Sequence, residues 1–121
     1  VYVYLSYGSH LCLNVVGRPG EAVLIRALRP EMGIDLMVAR RGEGRDLGAG
    51  PGRLGQALGV VLADNGKRFG SGEFLIEAGS APVALLVGPR VGITRAIDRP
   101  WRFGLADAAG LSRPFPKQDE R

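Results

Sequence analysis

Residues 1–16, VYVYLSYGSHLCLNVV, place β-branched, aromatic and aliphatic side chains on both sides of a small polar break at Tyr7-Gly8-Ser9. This is the pattern of two strands joined by a tight turn, and Gly8 can take the positive φ that such a turn requires. A period of two assigns Tyr2, Tyr4 and Ser6 to one face of the first strand and Val1, Val3 and Leu5 to the other. After a second turn at Gly17-Arg18-Pro19-Gly20, Glu21 to Leu28 reads as a third strand whose unbroken apolar centre predicts burial on both faces. Pro30 ends it. Glu31 to Arg41 predicts a short helix, with Met32, Asp35, Leu36 and Ala39 spaced along it and Arg40 and Arg41 in its last turn. A charged, glycine-rich loop covers residues 42–50. Pro51 then stands at the preferred first position of a second helix whose Leu54, Ala57, Leu58, Val61 and Leu62 share one face. Asp64-Asn65-Gly66 is a turn, and Glu73–Glu77, Val83–Val87, Arg90–Thr94 and Trp101–Leu105 read as short strands between Gly and Pro signals. The expected fold is α+β: a single domain over residues 1–112, with a mainly antiparallel curved sheet (an open barrel or roll), a projecting β-hairpin and two short helices. Residues 113–121, with Pro114, Pro116 and a charged end, are expected to fray.

Length and composition agree with one domain. The 121 residues are 45% hydrophobic and 23% charged, proportions of a globular chain rather than a disordered one. No run approaches the ~18 apolar residues of a membrane helix, and no basic leader marks a signal peptide, so a cytoplasmic location is expected. Cys12 is the only cysteine, which excludes an internal disulfide and any paired-cysteine metal or redox site. The formal charge is +4, a modest lean toward polyanions. Residues 1–30 supply +2 of it, from Arg18, Arg26 and Arg29 against Glu21. The remainder is nearly balanced, so no dense basic block is expected.

Several chemistries fall away. His10 is the only histidine and follows the hairpin turn, so neither a multi-histidine metal site nor a zincin can be built; His10 reads as a partly exposed strand residue. Gly48, Gly50 and Gly52 precede a helix, but no strand precedes them and no P-loop lysine accompanies them. What survives is a helix start whose free N–H groups at Gly52, with Arg53 in the first turn, could hold one phosphate, or simply a flexible lead-in to a helix. Lys67 and Lys117 lie in polar stretches, which disfavours Schiff-base chemistry. No carboxylate stands in an apolar strand as a candidate general base. The unusual object is three tyrosines in the first seven residues. Tyr2 and Tyr4 could be core aromatics and Tyr7 a turn residue; alternatively, Tyr7 could wedge into a base stack while Tyr4 forms a platform for an unstacked base.

Three groups of residues carry a resemblance. They are Tyr2-Val3-Tyr4-Leu5-Ser6-Tyr7-Gly8 to Cys12-Leu13-Asn14-Val15-Val16 with Ala22 to Pro30; Gly50-Pro51-Gly52-Arg53-Leu54-Gly55-Gln56-Ala57-Leu58-Gly59; and Pro89-Arg90-Val91-Gly92-Ile93 with Arg99-Pro100-Trp101-Arg102-Phe103. In this order, over nearly the whole chain, they resemble the alkyladenine (3-methyladenine) DNA glycosylase family. The resemblance implies base-excision repair: hydrolysis of the N-glycosidic bond of alkylated or deaminated purines after base flipping, with no cofactor and no metal. The implied partner is double-stranded DNA holding a damaged purine, met by a monomer at the nucleoid. The hairpin would enter the minor groove, with Tyr7 filling the gap left by the extruded nucleotide and Tyr4 stacking on the base. Asn14 would oppose the 2-amino group of normal guanine, and Tyr2 would support the pocket. Arg26 and the backbone carbonyl of Val91 would hold the attacking water, and Arg53 with Gly52 would contact phosphate. Trp101, Arg102 and Phe103 read as scaffold.

The departure from the family lies at the start. The family's general-base Glu, with a Tyr and a His covering the base from the other side, precedes the hairpin, and this sequence opens at the hairpin. The expectation is therefore a DNA-binding half-site that cannot complete hydrolysis alone. A small-nucleotide enzyme built on the Gly48–Gly55 loop is the remaining, weaker alternative.

Overall fold

The computed structural model describes residues 1–6, 10–70, 72–79, 84–91, 95 and 98–105. The hairpin turn at Tyr7-Gly8-Ser9 and the tail from Ser112 lie outside the described residues. Alternation at the start of the chain produces β1 (Tyr2–Ser6) and β2 (His10–Val16). They pair antiparallel in the register Tyr2↔Asn14, Val3↔Leu13, Tyr4↔Cys12, Leu5↔Leu11 and Ser6↔His10. β3 (Ala22–Leu24) adds to the far side of β2, with Asn14 opposite Leu24. A second antiparallel ribbon joins β4 (Leu85–Gly88) to β5 (Arg102–Leu105). The class is α+β; among the described residues there are two sheets, both antiparallel, two α-helices and no closed barrel. No helix among the described residues is long and apolar enough to cross a membrane.

Helix α1 (Ile34–Arg41) begins three residues later than its pattern predicts, because Gly33 takes a left-handed φ of 70° and ends the extended lead-in. It keeps Arg40 and Arg41 in its last turn but buries no residue; Met32 and Leu36 are exposed. Helix α2 (Pro51–Leu58) starts at the expected proline and stops four residues early. The cause is Gly59, whose φ of 71° is the left-handed closure that commonly terminates helices. Val61 and Leu62 consequently leave the apolar face and are exposed, and Val60 turns inward instead.

The core is Val3, Leu13, Leu54 and Val60, flanked by Leu11, Ile25, Leu28 and Phe74. Leu54 and Ala57 are fully buried where α2 lies on β2. That approach is close because Gly55 has no side chain: a Cβ there would stand 2.5 Å from the Leu11 carbonyl oxygen. The two helices are tied to each other by Arg40 Nη1 donating to the Ala57 carbonyl (3.0 Å) and Gln56 Nε2 donating to the Arg40 carbonyl (3.1 Å). Arg41 fastens the following loop, donating to the carbonyls of Arg45 and Asp46 and pairing with Glu43.

Three further expectations are corrected. The third strand is three residues rather than eight, and Val23 on it is exposed, so it is not buried on both faces. Beyond Leu24 the backbone leaves the ladder: Ile25 N–H still reaches the Leu13 carbonyl, but Ala27 bridges to Ala49 in the loop. Glu73–Glu77 forms no strand; Gly70 N–H closes on the Phe74 carbonyl, Phe69 stacks edge-on against Phe74, and Glu73 pairs with Lys67. Arg90 and Val91 are likewise not in a strand, and Gly92, Ile93 and Thr94 lie outside the described residues.

The outer edge of β1 is closed at its root by residues 64–67. Val3 N–H donates to Asn65 Oδ1 (3.1 Å), Gly66 N–H to the Val1 carbonyl (2.9 Å), and the Val1 nitrogen to the Lys67 carbonyl (2.9 Å). Asp64 supports this segment from within: it is buried, accepts from Val61 N–H (2.9 Å), and pairs with Lys67 Nζ at 2.7 Å. Those donors hold the Asp64 carboxyl below its ordinary range, the Lys67 hydrogen bond first and Val61 N–H second, against the opposing effect of burial.

Candidate nucleic-acid interface

The hairpin register assembles the tyrosine face. Because side chains alternate along a strand and directly opposed residues share a face, Tyr2, Tyr4, Cys12 and Asn14 lie together. Leu24, opposite Asn14, extends this face into β3, and Arg26 lies two residues further on. The Tyr2 and Tyr4 rings are 5.5 Å apart at 32°. Tyr2 is 44% exposed and Tyr4 is half-buried, whereas Cys12 and Asn14 beside them are buried. The face thus sets an accessible aromatic strip beside a buried thiol and a buried amide.

Burial raises the Tyr4 hydroxyl above its ordinary pKa. The Cys12 thiol beside it adds electrostatically and through a hydrogen bond, Tyr2 adds further, and the Arg26 charge pulls the other way. Tyr4 therefore stays protonated at neutral pH. Arg26 is half-buried and forms no ion pair among the described residues. Asn14 donates from Nδ2 to the Tyr2 carbonyl (3.3 Å) and the Cys12 carbonyl (3.5 Å). Only an amide nitrogen can donate to two carbonyls, so its Oδ1 is the atom left for another partner.

The other described site residues, Val91, Arg53 and Gly52, lie on other elements. Val91 is half-buried just beyond β4, on a ribbon whose two strands pack chiefly on each other. Arg53 is exposed and stands 3.9 Å from Asp46, both side chains at least half exposed, a pairing that leaves the guanidinium available. Gly52 meets the hairpin through His10, which is exposed as expected: a Cβ on Gly52 would sit 2.8 Å from the imidazole ring. Close packing against β2 therefore accounts for Gly52 and Gly55 in the glycine-rich run. Tyr7 lies outside the described residues.

Cys12 was missing from the expected site. The signal was present, since the period that pairs Tyr2 with Asn14 also places position 12 opposite Tyr4.

The profile of a family described as Methylpurine-DNA glycosylase (MPG) matches residues 1–109, and the chain belongs to that family. Among its relatives is a protein of Rhodopseudomonas palustris (strain ATCC BAA-98 / CGA009) named "Putative 3-methyladenine DNA glycosylase". It is 51% identical over 96% of this chain and 59% of its own length. A protein of Rhizobium meliloti (strain 1021) with the same name is 53% identical over 94% of this chain and 63% of its own. The chain thus spans about three-fifths of the length of these relatives.

Proposed function

We propose that the chain is the DNA-gripping and base-facing portion of a base-excision glycosylase acting on alkylated or deaminated purines. The observation that carries this reading is the register Tyr2↔Asn14 and Tyr4↔Cys12, which puts two tyrosine rings 5.5 Å apart on one face with the Asn14 amide. A purine turned out of the duplex would stack on Tyr4, as flipped bases do against aromatic side chains, while Tyr7 fills the space it vacates. The fixed Asn14 amide on this face would disfavour guanine, whose 2-amino group a closed pocket rejects by steric conflict. Arg26, with the carbonyl of Val91, would orient the water, and Gly52 and Arg53 would steady a phosphate.

The residues that the register brings to this face, Tyr2, Tyr4, Cys12 and Asn14, include no carboxylate. Residues 1–121 alone are expected to bind a lesion duplex without releasing its base, because the resemblance puts the family's general-base Glu ahead of the hairpin. The test is incubation of this chain with duplexes containing ethenoadenine or hypoxanthine, following binding by anisotropy and base release by strand cleavage at abasic sites. Binding without release supports the reading. Rapid release by the chain alone overturns the division of labour, and no preference for lesion duplex overturns the base-facing assignment.

A further inference from the structure

The charge of this chain is less evenly spread than its total suggests. Between residues 81 and 105 four arginines, Arg90, Arg95, Arg99 and Arg102, face a single acid, Asp98, whereas residues 31–80 carry seven acids against six bases. The basic stretch is the β4–β5 ribbon and its connection, and its centre is the only tryptophan in the chain. The guanidinium carbon of Arg90 lies 5.2 Å from the Trp101 ring centroid, and that of Arg99 lies 5.6 Å from it. The two cations are therefore no more than about 11 Å apart. The tight turn in which Trp101 N–H donates to the Arg99 carbonyl (2.9 Å) fixes one side, and Arg90 Nη2 donating to the Arg95 carbonyl (2.9 Å) fixes the other.

Two like charges on one ring repel, and cation–π attraction offsets this only partly. Among the described residues no carboxylate pairs with Arg90, Arg95 or Arg99. Trp101 is 55% exposed, and Arg95 and Arg99 are exposed. Arg90 is half-buried, with Nε closed from solvent and Nη2 held by the Arg95 carbonyl, so it stiffens the ring and adds charge behind it while the exposed Arg99 fork faces solvent, an arrangement that suits an anion that repeats along a line. Guanidinium groups bind phosphate oxygens bidentately, and stacking reduces the rotamer freedom they would otherwise lose on binding.

We propose that the Arg90–Trp101–Arg99 stack is a binding surface for the sugar–phosphate backbone of DNA, separate from the tyrosine face. It rests on the reading of the chain as a DNA-binding protein and adds an affinity element that does not read bases. Trp101, the sole tryptophan, reports directly on the site. Titration of the chain with a short undamaged duplex is expected to change its fluorescence. Arg99→Gln is expected to lower the slope of log Kobs against log salt by about 0.9, and to weaken binding roughly 5-fold near 0.15 M salt, equally for lesion and undamaged duplexes. Arg99→Lys is expected to restore the slope. An unchanged slope in Arg99→Gln, or a silent Trp101 on a duplex that binds, overturns the proposal. So does an equal fluorescence change from millimolar inorganic phosphate, which would mark a small-anion site. If the chain binds no DNA, both this surface and the proposed function fall; if it prefers lesion duplex while Arg99→Gln changes nothing, only this surface falls.

Discussion

Gly55→Ala sets two effects of opposite sign against each other. Gly55 lies inside α2 with an ordinary helical φ, and on an open helix face Ala in place of Gly would stabilise by about 1 kcal/mol. Here the new methyl would stand 2.5 Å from the Leu11 carbonyl oxygen, against an ordinary carbon–oxygen approach of about 3.3 Å. The obstacle is backbone held in the β1–β2 ladder and cannot rotate aside, so α2 must retreat by most of an ångström. That retreat opens the interface in which Leu54 and Ala57 are fully buried. Overpacking of this kind costs about 1–3 kcal/mol, and more where backbone must shift. After the propensity gain, a net loss of about 1–2 kcal/mol is expected, or about 4–8 °C in Tm for a domain of this size. Gly52→Ala serves as the internal control, because its Cβ would meet the His10 ring, a side chain that can rotate; its loss is expected to be smaller. Thermal unfolding followed by circular dichroism measures both. A Gly55→Ala protein as stable as the parent, or less affected than Gly52→Ala, refutes the close crossing of α2 on β2.

Asp64 has a folded pKa below its unfolded value, so the stability it contributes is present above the unfolded pKa of about 3.9 and lost as pH falls through the folded value. Asp64→Asn is expected to lower stability at neutral pH by about 1–3 kcal/mol, through loss of charge-assisted bonds, and to flatten the acid limb of the profile. A profile parallel to the parent between pH 5 and 2 would exclude this role. Asn65→Ala is expected to speed hydrogen exchange at the Val3 amide at least 5-fold while leaving the Leu13 amide protected, measured by NMR. Asn14→Ala is expected to narrow the binding preference for hypoxanthine over guanine duplexes and to cost about 1 kcal/mol or less in stability, because its bonds at 3.3 and 3.5 Å are long. Anisotropy titrations and denaturant unfolding test the two parts separately.

The elements legible in the sequence are those fixed by local rules. Apolar, β-branched and aromatic runs on either side of the Tyr7-Gly8-Ser9 break give the strands Tyr2–Ser6 and His10–Val16, and Pro51 gives the start of α2. The misreadings arise where a single backbone conformation outweighs a pattern. Gly59 stops α2 although Val61 and Leu62 continue its apolar spacing, and Gly33 delays α1 although Met32 fits its face. Both glycines are visible stop or start signals whose weight against periodicity is decided by tertiary packing. Glu73–Glu77 has the composition of a strand, but its neighbours in space are Lys67 and Phe69, with which it closes a loop. Nothing local identifies Asn65 as the partner of an amide 62 residues away. The tyrosine face was readable because adjacent strands build it. The Arg90–Trp101–Arg99 stack was not, since summing charge over the whole length after residue 30 dilutes the ribbon's excess among the nearly balanced residues around it.

The clamp of residues 64–67 also decides how the first sheet meets other chains. An edge strand offers a row of unpaired donors and acceptors to any extended polypeptide, and on β1 the outward groups of Val1 and Val3 are already engaged by Asn65, Gly66 and Lys67. A second copy trying to add a strand there would find no uninterrupted row to follow. It would first have to pull away a segment anchored by the Asp64–Lys67 pair. The root of the β1 edge is thus guarded against strand addition, next to the exposed ring of Tyr2.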